Sequence, residues 1–282
     1  MTSHGYLRRW QVGSTVLIIL LTVAGTLSGL LVEGFYRDPD ALVYQAYGQD
    51  TVTLAVVVPL LAVGLRFARR ESLRGYFLWL GALGYLLYTY AVYAVITEFN
   101  PFFLGYVALF GLSLYTFVGG LLQIDPTAVK ARLDADLPVR PVRWFLLGMG
   151  VLVALLWLSE AVPATVADEK PASIADTGLP ANVVHVLDLA VLVPAMFVTA
   201  RWLRADRAWA YVIPGVLFVK LTSIGLAIIG MIAWMSTEGQ AVDPALVVVF
   251  AVLTVANGAF GVTYLLSIDA ESGSRRVVTH GD

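Results

Sequence analysis

Residues 12–33 read VGSTVLIILLTVAGTLSGLLVE, a run that carries no charge before Glu33 at its end. A helix of about 20 apolar residues is long enough to cross a hydrocarbon core of roughly 30 Å. Arg8 and Arg9 precede the run, as in a signal peptide, but the apolar region is longer than the about 7–15 residues usual there and no small-residue cleavage site follows. We therefore expect a retained membrane helix.

Seven further apolar stretches follow along the chain. Hydrophobic residues make up 59% of the sequence and charged residues 13%, which is about half the charged fraction of a soluble domain. The charges lie in short segments between these stretches. Lipid offers no partners for backbone amides, so each stretch is predicted to be a helix. The predicted spans are 12–33, 51–68, 76–97, 101–122, 144–163, 182–203, 208–235 and 245–268.

The distribution of Lys and Arg predicts the orientation, because basic residues concentrate in cytoplasmic loops. Fifteen of the 18 lie in alternate segments at or between the ends of the spans, the opposite segments hold only Arg37 and Lys170, and Lys220 lies deep inside a span. This pattern predicts a multi-pass protein of the cell membrane with both termini in the cytoplasm. The basic segments hold Arg8 and Arg9; Arg66, Arg69, Arg70 and Arg74; Lys130, Arg132, Arg140 and Arg143; Arg201, Arg204 and Arg207; and Arg275 and Arg276.

The two halves of the chain share short patterns in the same order. Leu54-Ala-Val-Val-Val-Pro59 matches Leu189-Ala-Val-Leu-Val-Pro194 at an offset of 135 residues. Convergent composition at helix ends is the alternative, but the collinear order favours a tandem duplication. An even number of spans keeps the orientation, so the fold class is an all-α integral membrane protein built as two parallel four-helix repeats. The predicted organisation is a first repeat at 1–126, a cytoplasmic linker at 127–143, a second repeat at 144–270 and a cytoplasmic tail at 271–282.

Ionisable residues inside membrane spans are costly and mark candidate functional positions. Asn182, His185 and Asp188 recur every three residues, which places them on one face of the sixth span. At 1.5 Å of helix rise per residue, Asp188 is expected roughly 9 Å below the outer edge, and Lys220 of the seventh span roughly 12 Å below it. The sequence therefore predicts a Lys220–Asp188 charged pair that faces a cavity open to the outside.

Glu33 and Glu160 end the first and fifth spans on the predicted outer side. We expect these carboxylates to form an acidic rim around the cavity; the alternative for each is a solvated helix end. The corresponding alternative for Lys220 and Asp188 is a buried ion pair that only fixes helix register.

Composition also narrows the classes of function. A net charge of −2 argues against nucleic acid as a partner, and the lack of cysteine excludes a thiolate metal site. We find no phosphate-binding loop, HExxH or GxSxG motif, and we expect no metal and no cofactor. The expected partners are the lipid bilayer and a small-molecule ligand.

Three functions remain open on the sequence. The favoured one is a small-molecule carrier or solute-binding protein with its polar site in the outer half of the bilayer. The second is an intramembrane enzyme that uses His185 and Asp188 as an acid–base pair on a lipid-like substrate; the missing nucleophile and metal motifs count against it. The third is a structural or sensor subunit.

Overall fold

The computed structural model describes residues 6–133, 137–175 and 177–268. Within these ranges the chain is helical apart from loops and one isolated bridge between Leu133 and Ile268, and eight helices are long and apolar enough to span a membrane. The predicted class, an all-helical protein with eight potential membrane spans, is confirmed. The helices are α1 (Arg9–Leu31), α2 (Asp40–Ala68), α3 (Leu73–Ile96), α4 (Phe103–Gln123), α5 (Val139–Ala167), α6 (Val183–Arg204), α7 (Ala208–Thr237) and α8 (Pro244–Leu266).

Helix α2 differs most from its predicted bounds. It begins at Asp40, directly after Pro39, rather than at residue 51. Asp40 lies in the first turn, where a carboxylate interacts favourably with the helix dipole. The predicted start of this span at residue 51 was therefore wrong, because the helix continues through the polar residues 40–50.

The chain forms two compact units. The first contains α1–α4, α8 and α7 from Pro214 onward, and the second runs from Pro138 to Ile213 and contains α5 and α6. These limits do not follow the predicted repeats at 1–126 and 144–270, whose boundaries stay a prediction.

Helix α3 is the most buried helix of the first unit. It packs along α2 and α4. Trp79 is fully buried and its Nε1 donates to Thr15 Oγ1 of α1 at 3.0 Å, while the Tyr76 hydroxyl donates to the Gly120 carbonyl of α4 at 2.9 Å. Buried donors with such partners fix the helices around α3 in one arrangement.

Helices α2 and α7 approach each other through glycine. A Cβ at Gly48 would fall on the backbone of Gly230 and Met231, and a Cβ at Gly230 would lie 2.7 Å from the Gly48 carbonyl oxygen. Small residues allow this kind of close backbone contact between membrane helices. The contact holds the polar first half of α2 against α7.

Helices α2 and α6 each contain a π-helical turn, at Thr53–Val57 and Asp188–Leu192. Pro59 and Pro194 follow directly, at the start of the next α-helical segment. A proline ring clashes with the carbonyl four residues before it in an α-helix, and a wider turn relieves that clash. The two π turns lie 135 positions apart.

Helices α2 and α6 also have the same geometry at their C-terminal ends. Glu71 and Asp206 adopt the left-handed conformation, with φ of 61° and 53°. The next backbone N–H then bonds back to the carbonyl five residues earlier, from Ser72 to Phe67 at 3.1 Å and from Arg207 to Trp202 at 3.0 Å, which is the Schellman pattern. These positions again lie 135 apart.

Candidate functional site

The predicted residues of the sixth span lie in the second unit. Asn182 caps α6, and its Oδ1 accepts a hydrogen bond from the Val184 amide at 2.9 Å. An asparagine at this position stabilises the helix start. The side chain of Asn182 is therefore engaged in capping, one turn before His185.

His185 and Asp188 are both buried, with exposed fractions of 8% and 7%. Trp157 of α5 contacts both: its Nε1 donates to Asp188 Oδ2 at 2.8 Å, and its ring lies 4.4 Å from the His185 imidazole, centroid to centroid. The Nε2 atom of His185 lies 3.5 Å from Glu160 Oε2. The structure thus brings three predicted residues together around an indole ring that the sequence analysis did not single out.

Glu160 joins this group to the following loop. Its Oε1 accepts a hydrogen bond from the Ser173 amide, in the short helix Ala172–Ala175. Buried His185 Nε2 has no partner of hydrogen-bond geometry within the described residues. Buried polar atoms in native proteins usually have a partner, and the Glu160 carboxylate at 3.5 Å is the group that faces this nitrogen.

The two remaining predicted residues lie in the first unit. Lys220 of α7 places its Nζ 4.5 Å from the centre of the Tyr88 ring, within the range of a cation–π interaction. Glu33 is exposed in the turn after α1. Lys220 and Asp188 belong to different units, and their pairing stays a prediction.

The sequence analysis missed a buried carboxylate in the first unit. Asp50 of α2 is 4% exposed. Its Oδ2 accepts a hydrogen bond from the Tyr36 hydroxyl at 2.6 Å, and its Oδ1 accepts one from Tyr93 at 3.3 Å. Across residues 6–133, 137–175 and 177–268, no Lys, Arg or His lies within ion-pair distance of this carboxylate.

Aromatic rings surround Asp50. Tyr93 lies 6.2 Å from Tyr36 and 5.3 Å from Tyr106, and Tyr90 stacks on Tyr106 at 6.3 Å. We call these four residues the tyrosine shell. On α3, Tyr85, Tyr90 and Tyr93 are buried and Tyr88 is partly exposed, because neighbouring helices enclose most of this helix.

Further polar side chains on α2 and α3 lie next to the tyrosine shell and contact each other. The Gln49 amide donates to Thr89 Oγ1 at 3.0 Å, and the hydroxyls of Thr53 and Tyr85 lie 2.8 Å apart. Gln49, Asp50 and Thr53 have the spacing of one helix face. That spacing, together with the tyrosine content of α3, is the sequence signal that would have located this site.

Three buried polar atoms near the shell have no partner in good hydrogen-bond geometry among the described residues. They are Asn100 Nδ2, the Tyr106 hydroxyl and Thr22 Oγ1. Tyr106 nevertheless lies within reach of Asn100 and Tyr36, and Thr22 lies within reach of Tyr90. Tyr106 is 2% exposed and Asn100 1% exposed. Buried polar groups in native proteins usually have a partner, and here the groups within reach are neighbouring side chains of the same cluster.

The loop between α1 and α2 covers the shell. Burial raises the pKa of the Tyr36 hydroxyl, so this group stays protonated and remains a donor to Asp50. Burial also raises the pKa of Asp38, whose Oδ1 accepts a hydrogen bond from the Glu98 amide at 2.9 Å. Protonatable groups thus extend from Asp50 into this loop.

A cavity of about 440 Å³ lies at the other end of α6 from His185, lined by Arg201, Trp202, Arg204, Ala205 and Arg207. Its guanidinium groups would attract anions. The two buried groups described above instead combine carboxylates with aromatic rings, a chemistry that suits cations. Comparison with known proteins gives no match, whether to a protein-family model, a curated protein or a solved structure.

Proposed function

We propose that the protein is a small-molecule carrier or solute-binding protein of the cell membrane, with its polar site in the outer half of the bilayer. The observation that carries the proposal is the group of His185, Asp188, Glu160 and Trp157 on two potential membrane spans. Ionisable side chains at such depth are costly, which makes them candidates for a substrate or ion pathway.

The chemistry of this group favours a small solute that carries a protonated amine. Glu160 and Asp188 supply carboxylates, and Trp157 supplies the ring that binds cations best. His185 Nε2, which has no hydrogen-bond partner among the described residues, offers a further polar contact. In this proposal Lys220 is the counter-ion of Asp188 in the empty state, and the solute amine competes with it.

The proposal includes the orientation, with both termini cytoplasmic and the plasma membrane as location. It also includes a tandem duplication of four helices. The π turns, the prolines after them and the left-handed acidic residues at the helix ends support the duplication, since each recurs 135 positions on. Local features that break helix geometry are less prone to chance agreement than apolar sequence.

The test is ligand-dependent thermal stabilisation of the purified full chain in lipid nanodiscs. Ethylammonium and choline serve as cationic probes and acetate as the anionic control. We expect the cations to raise the unfolding temperature of the wild-type protein, as any ligand of the folded state does, and acetate to leave it unchanged.

The comparison of variants decides which residues bind. Asp188→Asn and Glu160→Gln should lose the shift. Asp243→Asn is the matched control, because Asp243 caps α8 and asparagine caps equally well. Equal shifts in the wild type and in Asp188→Asn would overturn the proposed site.

An intramembrane acid–base enzyme is the second candidate, favoured by the 3.5 Å separation of His185 Nε2 and Glu160 Oε2. A general acid–base pair needs such proximity. The enzyme would be supported instead if the cationic probes did not stabilise the protein and if the protein turned over a lipid-like substrate. His185→Gln should then abolish this turnover.

A further inference from the structure

The carboxylate of Asp50 is enclosed by three elements besides its own helix. Tyr36 from the α1–α2 loop and Tyr93 from α3 donate to its two oxygens. Helix α1 closes the fourth side at Gly29, where a Cβ would fall on Asp50 Oδ2. The group is thus built into the packing of the first unit and lies away from the surface.

Among the residues that the structure describes, no cation balances a negative charge on Asp50. Two phenolic hydroxyls stabilise a carboxylate in part, but an ionised group at membrane depth needs a cation as well. Among the described residues, the titratable groups that interact with Asp50 come from α3, α4 and the α1–α2 loop and are all tyrosines, and α1 contributes glycine. These tyrosines are Tyr36, Tyr85, Tyr90, Tyr93 and Tyr106.

Space decides which cation fits. A Cβ at Gly29 would also lie 2.7 Å from the Tyr36 hydroxyl oxygen, so the carboxylate and the phenol are packed against the α1 backbone without a gap. An organic ammonium or a hydrated metal ion needs more room than this. On the side that faces α1, the proton is the cation that this packing accommodates.

We propose that Asp50 is a proton-binding site that exchanges with the α1–α2 loop through the Tyr36 hydroxyl. One O–H bond forms when the carboxylate takes up a proton, and the same bond breaks on release. The assignment goes beyond the proposed solute site, shares no residue with it, and stands or falls separately.

Tyr36 is suited to the relay because it lies outside the spans and touches Asp50 directly. Its raised pKa keeps it from ionising. It passes a proton by donating its own to Asp50 while accepting another from the loop side. Asp38, two residues further along the loop, is the carboxyl nearest to Tyr36 in sequence.

The second half of the chain repeats the arrangement. The residue 135 positions after Asp50 is His185, which is also buried and also precedes a π turn by three residues. Each of the two helices thus presents a protonatable group one turn before its π turn. Irregular turns of this type are frequent at functional sites.

Infrared difference spectroscopy on the full chain in lipid tests the proton site. The wild-type protein at neutral pH should show the C=O stretching band of a protonated carboxyl group. Asp50→Asn should lack the band and Asp188→Asn should keep it. Raising the pH should remove the band from the wild type, and Tyr36→Phe should slow its hydrogen–deuterium exchange several-fold.

A wild-type spectrum without an Asp50-dependent band at neutral pH would overturn the proposal. A carboxylate band that responds to sodium, and is lost in Asp50→Asn, would do the same and assign an alkali cation. If Asp50→Asn does not fold, Tyr36→Phe and Tyr93→Phe each remove one hydrogen bond and should shift the C=O band; a band that neither variant moves would contradict the assignment.

Discussion

The indole of Trp157 donates a 2.8 Å hydrogen bond to Asp188 and thereby joins α5 to α6 within the second unit. Trp157→Phe keeps an aromatic ring against His185 but removes the donor. We expect a loss of about 1–3 kcal/mol in the free energy of unfolding, because a buried acceptor loses its partner. Trp144→Phe is the control on the same helix, since Trp144 is 63% exposed. Equal stability of the two variants in detergent unfolding would contradict the role of this bond.

The predicted pairing of Lys220 with Asp188 makes a prediction for single and double variants. Lys220→Met or Asp188→Leu alone should cost about 3–5 kcal/mol, because each strands a buried charge, whereas the double variant should be tolerated. Folded yield and cation binding are scored separately. A double variant less stable than either single variant would rule out the pair. A double variant that still binds cations fully would show that the pair has no role in binding.

Gly29 is predicted to be essential for the packing around Asp50. Gly29→Ala places a methyl group on Asp50 and Tyr36, and we expect it to lower the free energy of unfolding by about 1–3 kcal/mol. Gly13→Ala on the same helix meets nothing within 4 Å and should be neutral or stabilising by up to about 1 kcal/mol. Unfolding midpoints of the two variants provide the measurement; a stabilised Gly29→Ala would refute the contact.

The raised pKa of Asp38 predicts that the stability of the protein depends on pH. Burial raises its pKa in the folded state above the ordinary value, so the folded state favours the protonated form. The resulting penalty is present at neutral pH and disappears as the pH falls through the raised pKa. We expect the melting temperature of the wild type to rise relative to Asp38→Asn over that acidic range. Parallel curves for the two proteins would show that Asp38 is not the group responsible.

The orientation predicts the outcome of reporter fusions along the chain. Fusions at residues 72, 133 and 206 should report the cytoplasm, because the basic loops lie there. Fusions at residues 36, 170 and 240 should report the outside. An outside signal at 72 or 206, or a cytoplasmic signal at 170, would overturn the topology on which the outward-facing site depends.

The sequence by itself determined the class of fold. Apolar stretches such as residues 12–33 are long enough to cross a bilayer, and backbone groups in lipid must bond within their own helix; no tertiary contact is needed for that conclusion. The same reasoning identified His185 and Asp188, because an ionisable residue inside an apolar stretch can be recognised from the sequence alone. Pro59 and Pro194 were visible there as parts of a repeated pattern, whereas the π turns before them are a finding of the structure.

Only the tertiary structure decided what surrounds these residues. Residues 40–50 are polar and lie outside the predicted span, yet they form the first part of α2, where Gly48 packs against Gly230 and Asp50 is buried. The α1–α2 loop then carries Tyr36 back onto Asp50. Hydropathy is averaged over a segment, so a polar segment is predicted to face water. A buried carboxylate such as Asp50 is instead stabilised by hydroxyl groups from other elements, and these groups meet only in the folded chain.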